Sequence, residues 1–346
     1  MMRLFVRFST LLLAVVLFSS CGQKSADLQE SAVSPDKTLY ENGMKFFEKS
    51  YFIKARLSFQ TLINTYPDSE YTPASFLAIA DSYYKEGGTE NLLQAEAQYK
   101  DFIIFYPDHE MADDAQLKVA AINVRLMKPS DRDPTYARKA EAEFKKFLED
   151  YPDSELAPTA REFLREVQEN RAASIHDVAN FYLEQRKNYL AAESRYKEVI
   201  SNYPNFSRAD EALYNLGLSL ENMGRIEEAS VYYARVASEY PFSQFAEEAQ
   251  EKLILLEKPV PAVNEAAAAR NLANRREESF SILDPLRSVW ATFAGGEDPY
   301  EVARRRAEER KNQQPAPAPA SGSQGQAAPV PSASNTTGFT TGGTQR

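Results

Sequence analysis

Five times along this chain an Ala, an aromatic residue, an apolar pair and a Tyr-Pro recur in one register. The copies are Ala55, Phe59, Leu62-Ile63, Tyr66-Pro67; Ala95, Tyr99, Phe102-Ile103, Tyr106-Pro107; and Ala140, Phe144, Phe147-Leu148, Tyr151-Pro152. Two more follow, Ala192, Tyr196, Val199-Ile200, Tyr203-Pro204 and Ala229, Tyr233, Val236-Ala237, Tyr240-Pro241. In every copy the Ala stands 11 residues before the Tyr, and the aromatic 7 before it. Positions i, i+4, i+7, i+8 and i+11 share one face of an α-helix, so each block predicts one amphipathic helix. In the fourth copy Glu193, Arg195, Lys197 and Glu198 form the wet side. The small Ala lets a neighbouring helix approach. The Pro ends the helix, because it lacks a backbone donor and disfavours the α region in the Tyr before it. Asp68-Ser69, Asp108 and Asp153-Ser154 then offer side-chain oxygens to cap the next helix.

A second helix precedes each block. In the fifth copy it runs through Leu213, Leu216, Gly217 and Leu220 to a turn at Asn222-Met223-Gly224. Gly217 lies 12 residues before Ala229 and 24 before Pro241. Gly43, Phe46, Ala55, Phe59 and Pro67 keep the same register in the first copy. This is the spacing of tetratricopeptide repeats, helix pairs that cannot bury their apolar faces alone and so stack on one another. The second copy carries a few extra residues at 85–89, and the third a longer Pro- and Asp-containing insertion at 127–136. The predicted fold is all-α, a tetratricopeptide-repeat solenoid of five helix pairs over residues 37–257. The 19 Tyr and 20 Phe against 13 Gly fit a helical chain packed with aromatics.

The flanks differ from this core. Arg3, Arg7, the apolar run Leu11–Phe18 and Ser19-Ser20 read as a signal peptide over residues 1–20. The run is too short for a membrane span of about 20 residues. The chain's one cysteine, Cys21, follows directly. This arrangement resembles a bacterial lipoprotein signal, in which that Cys becomes the lipidated N-terminus. Phe18 stands where such signals usually have Leu, with Leu17 one position further back, and Gly22 rather than Asp follows the Cys, so the usual inner-membrane retention signal is absent. The alternative is a plain secretory signal followed by a free thiol. A single Cys excludes intrachain disulfides and thiolate metal clusters. With about 0.8 kcal/mol of membrane affinity per buried methylene, acyl chains on Cys21 would anchor the protein stably. Residues 21–36 then read as a polar tether. Residues 258–312 read as a C-terminal helical extension. Its stretch 258–295 is expected to cap the last repeat's apolar face, with a docking segment for a partner as the other reading, and helices are expected over Ala266–Arg276 and Pro299–Arg310. Residues 313–346, rich in Pro, Ala, Ser, Gly and Thr, cannot bury enough apolar surface to order, and read as a solvated tail.

Chemistry is sparse. The formal charge is −10, and without the arginines of the signal it is −12, which excludes a nucleic-acid face. His109 after a Tyr-Pro-Asp turn and His176 at a predicted helix start read as surface or capping residues. Adjacent acids such as Asp113-Asp114 and Glu247-Glu248 read as solvated faces. No phosphate-cradling glycine loop, His-Glu-x-x-His or Gly-x-Ser-x-Gly is present, so an enzyme is not expected, and neither is a cofactor beyond acyl chains on Cys21. A solenoid offers a groove lined by the first helix of each repeat, suited to extended or helical protein segments. Repeat phase places Tyr40, Met44, Phe47, Leu77, Asp81 and Tyr84 toward it. Aromatics there suit binding, since they bring large area at low rotamer cost; the plainer reading is that they pack between repeats.

Ser130-Asp131-Arg132-Asp133-Pro134, Ala137-Arg138, and Phe144 through Tyr151-Pro152-Asp153-Ser154 resemble the BamD family. So does the run from Ala179-Asn180-Phe181-Tyr182-Leu183 through Tyr189, Ala192, Arg195 and Val199 to Tyr203-Pro204. The similarity covers roughly residues 30–257. It implies a lipoprotein subunit of the machine that inserts β-barrels into the bacterial outer membrane, held on the periplasmic face. It implies N-terminal repeats that receive unfolded outer-membrane proteins and C-terminal repeats that hold the barrel-forming subunit. Arg195 matches a family position that contacts that subunit. Two other readings stay open, a scaffold coordinating cell-wall synthesis with the envelope and a secretin pilot.

Overall fold

The computed structural model describes residues 34–272 and 298–313. The expected signal peptide and lipidation site Cys21, residues 273–297 of the C-terminal extension and the tail from 314 lie outside the described residues. The chain is an all-helical solenoid, and among the described residues there is no strand. Its first pair is α1 (Pro35–Glu48) and α2 (Phe52–Thr65), and its second α3 (Thr72–Glu86) and α4 (Thr89–Phe105). Then come α5 (Ala112–Leu126) with α6 (Thr135–Asp150), and α7 (Ala157–Asn180) with α8 (Tyr189–Asn202). The last pair is α9 (Ala209–Asn222) and α10 (Ile226–Glu239), followed by α11 (Ala246–Leu255). After the 273–297 interval stands α12 (Pro299–Gln313). No helix among the described residues is long and apolar enough to cross a membrane.

Every Tyr-Pro ends the second helix of its pair. The five Tyr residues leave helical geometry with φ between −128° and −133°, the extended backbone that a following Pro imposes. The repeated Ala and aromatic are fully buried in all five copies, from Ala55 and Phe59 to Ala229 and Tyr233. The small residue of the first helix faces that aromatic. A Cβ on Gly43 would stand 2.5 Å from the Phe59 ring, and one on Gly217 would stand 2.6 Å from the Tyr233 ring. The core is accordingly a string of four apolar clusters, each shared by neighbouring repeats.

Polar contacts tie the stack together. Three of the repeated aromatics are tyrosines, and each hydroxyl bonds within its own pair. Tyr196 donates to Asn180 at 2.5 Å, Tyr233 to Glu221 at 2.6 Å, and Tyr99 to Asp81. In the Tyr-Pro turns the Ser, rather than the Asp, meets the next helix. Ser69, Ser154 and Ser243 each accept from the backbone N–H two residues on, at 3.1–3.2 Å. Each also donates to an acid at the start of the preceding repeat, at 2.6, 2.7 and 2.5 Å to Asp36, Asp113 and Asp210. His109 stands in the place of that Ser in the second repeat, and its Nδ1 accepts from Met111 N–H at 3.1 Å.

His176 corrects the sequence reading. It lies near the end of the 24-residue α7 rather than at a helix start, and it is fully buried against Tyr196 and Phe206. Burial, with the nearby positive charge of Arg208, holds its pKa down at about 4, so it is neutral. A π-helical turn, Phe181–Gln185, follows α7. The turns inside four of the five pairs use residues at positive φ, and glycines supply them in two, Gly87 and Gly88 at 72° and 81° and Gly224 at 77°. Ser50 and Lys187 adopt the same region at φ 58° and 48°, which their side chains make less favourable.

Candidate protein-binding groove

The first helices of consecutive pairs share one face, and across α3, α5 and α7 that face is occupied. Helix α12 lies on α5 and α7, far in sequence from both. Phase along α12 explains the contact. Tyr300, Ala303 and Ala307 fall on one side of the helix and meet Leu117, Ala120, Ala121, Val124, Phe163 and Val167. Ala303 has no exposed surface, so the helix backbone comes close there.

Charge decides the register. Tyr84 on α3 donates its hydroxyl to Asp298, and the Arg125 guanidinium lies over the Tyr84 ring at 4.7 Å while reaching Asp298 at 3.5 Å. The Tyr300 hydroxyl donates to Asp114 at 2.7 Å, beneath Lys118, whose ammonium sits 4.6 Å from the ring centre. Burial and the Asp298 carboxylate push the Tyr84 hydroxyl well above its ordinary pKa; for Tyr300 burial does so with Asp114. Both rings are therefore neutral donors. Arg304 reaches Asp114 at 3.5 Å, Arg306 and Arg310 reach Glu162 at 2.9 and 2.6 Å, and Lys311 reaches Glu155 at 3.0 Å. Arg310 also donates to the Thr159 hydroxyl at 2.7 Å.

The six residues that phase assigns to the groove do not form one open patch. Tyr40, Met44 and Phe47 are half-buried against the first cluster, with Tyr40 on Phe59 and stacked on Tyr71 at 5.1 Å. Leu77 packs on the second cluster. Asp81 accepts from Tyr99 and from Lys118, the latter at 2.5 Å. Tyr84 is buried beneath Asp298. Arg195 is half exposed on α8 and pairs with Glu198 at 2.7 Å.

Asp113-Asp114 overturns the reading of adjacent acids as a solvated face. The two diverge on the helix, Asp113 toward Ser154 and Asp114 toward Tyr300 and Arg304. Glu247 and Glu248 do stay exposed. The sequence signal for the α12 contact is the stripe of Tyr300, Ala303 and Ala307 beside Arg304-Arg305-Arg306. Nothing local points to acceptors 144 or more residues away.

Residues 33–233 match the family model YfiO, described as an outer membrane lipoprotein. The chain belongs to this family, whose curated relatives carry the name BamD. A protein from Aquifex aeolicus named a putative outer membrane protein assembly factor BamD is 30% identical over 74% of this chain and 80% of its own length. The BamD of Rickettsia prowazekii is 26% identical over 70% of this chain and 95% of its own. Among solved structures, a tetratricopeptide repeat protein from Parabacteroides merdae is 14% identical with a TM-score of 0.29, over 80% of this chain and 87% of that one. In this BamD-family chain the groove lies within the matched residues and α12 lies beyond them.

Proposed function

We propose that this protein is the non-catalytic lipoprotein subunit of a β-barrel assembly machinery at the periplasmic face of the outer membrane. The family match over residues 33–233 carries the reading, because its curated relatives are named for outer membrane protein assembly. Acyl chains on Cys21 anchor it, and the polar tether holds the repeats off the bilayer. Arg195 docks the barrel-forming subunit. It stands half exposed on α8, where among the described residues it pairs with Glu198, so a carboxylate from another protein can take the guanidinium over at little cost. Unfolded outer-membrane proteins dock at the N-terminal repeats, around the partly exposed Tyr40, Met44, Phe47 and Leu77, while Asp81 and Tyr84 are engaged by Tyr99, Lys118 and Asp298. No observation favours the cell-wall or secretin readings.

Affinity capture of the tagged chain from detergent-solubilised envelopes tests the proposal. The barrel-forming subunit is expected in the eluate, and its absence from the wild-type eluate refutes the reading. Arg195→Glu is expected to lower that recovery several-fold, and unchanged recovery removes Arg195 from the interface. Cys21→Ser should move the protein from membranes to the soluble fraction.

A further inference from the structure

We propose that the face formed by α3, α5 and α7 is a docking groove for a basic helical segment of another protein, and that α12 is a tethered occupant that must leave first. The face recognises one chemical pattern. An aromatic hydroxyl enters the slot between Asp114 and Lys118, and Tyr300 fills it with 6% of its surface exposed. A small residue three positions on lets the helix approach, as Ala303 does. Cations four, six and ten positions after the aromatic meet Asp114 and Glu162. A helix with that spacing presents all of these groups on one side.

The occupant is held in a way that permits exchange. Its ion pairs are part-exposed, with side-chain exposures of 68% and 72% at Lys311 and Glu155, and such pairs contribute little each. Its buried apolar contribution is confined to Tyr300, Val302 and Ala303. Three of the four apolar clusters are built from the repeats' own helices, and the remaining one takes in Tyr300, Val302 and Ala303 from α12. The groove belongs to the span matched by the family model, whereas α12 stands outside it. Tethering supplies the block. A segment carried on the same chain as its site acts at an effective concentration set by the connecting chain, so an external segment of similar affinity is excluded until α12 is released.

The inference does not rest on the outer-membrane reading, and the two fail in separate experiments. The probe is a fluorescein-labelled peptide of residues 298–313, titrated with the full chain and followed by anisotropy. Arg306→Glu/Arg310→Glu in the full chain is expected to free the groove and to bind the peptide at least tenfold more tightly than wild type. Glu162→Arg reverses the preference: it is expected to bind a peptide carrying Glu at 306 and 310, and to bind the wild-type peptide weakly. All three residues are part-exposed, and release of α12 uncovers the apolar face that Tyr300, Val302 and Ala303 cover, so far-ultraviolet circular dichroism is expected to keep the helical content of the repeats. Equal peptide affinity of wild type and the Arg306→Glu/Arg310→Glu variant overturns the proposal. So does a Glu162→Arg chain that fails to prefer the charge-swapped peptide.

Discussion

Replacing Gly217 with Ala sets helix propensity against packing. Gly217 is buried in the middle of α9, where Ala is favoured by about 1 kcal/mol in an isolated helix. In the solenoid the added Cβ would stand 2.6, 2.9 and 3.0 Å from three atoms of the Tyr233 ring. That ring has no exposed surface and cannot swing into solvent. Overpacking of this kind costs about 1–3 kcal/mol. Displacing the ring also strains its hydroxyl bond to Glu221 at 2.6 Å, and a hydrogen bond to a charged group is worth about 1.5–3 kcal/mol. The net expectation is destabilisation by about 2–4 kcal/mol. Urea unfolding followed by circular dichroism measures it, with Tyr233→Leu and the double variant completing a cycle. The double variant is expected to recover part of the loss, as residues in contact do by about 0.5–3 kcal/mol. A Gly217→Ala protein as stable as wild type, or effects that simply add in the cycle, would refute the close-approach argument.

His176, fully buried, and Glu166, partly buried with one carboxylate oxygen shut off from solvent, give opposite pH responses. Burial pushes the Glu166 carboxyl up to about 8, against a smaller opposing pull from Arg306. The folded chain therefore keeps a proton that the unfolded chain releases near 4.5, and stability falls as pH rises across that window, by up to about 1.4 kcal/mol per unit. Glu166→Gln should flatten this limb in thermal melts between pH 5 and 8, and an unchanged slope contradicts it. For His176, held near 4, the unfolded chain takes up a proton that the folded chain refuses. Stability on this account falls as pH drops from 6.5 to 4, and His176→Leu should be less acid-sensitive than wild type in the same melts.

The repeat architecture was legible because the helical period and the Tyr-Pro stop act within one helix. Ala229, Tyr233 and Pro241 need no distant information to place a face and an end. The positive-φ turns were legible at Gly87-Gly88 and Gly224. Ser50 and Lys187 make similar turns with residues whose type signals nothing. Hydroxyl partners were not legible either, since Tyr99, Tyr196 and Tyr233 occupy the same register positions as Phe59 and Phe144. Their bonds depend on whether the facing helix offers Asp81, Asn180 or Glu221.

The amino-acid sequence by itself determined that this chain is a stack of helix pairs and that its register breaks at 127–136. It also carried the family resemblance that the match over residues 33–233 supports. Helix phase and termination are local, so they are written in neighbouring residues. Only the tertiary structure decided what stands in the groove. Tyr300 meets Asp114, and Arg306 meets Glu162, across 186 and 144 residues. A contact of that separation is set by which faces the stacked repeats bring together, and no periodicity within α12 contains it.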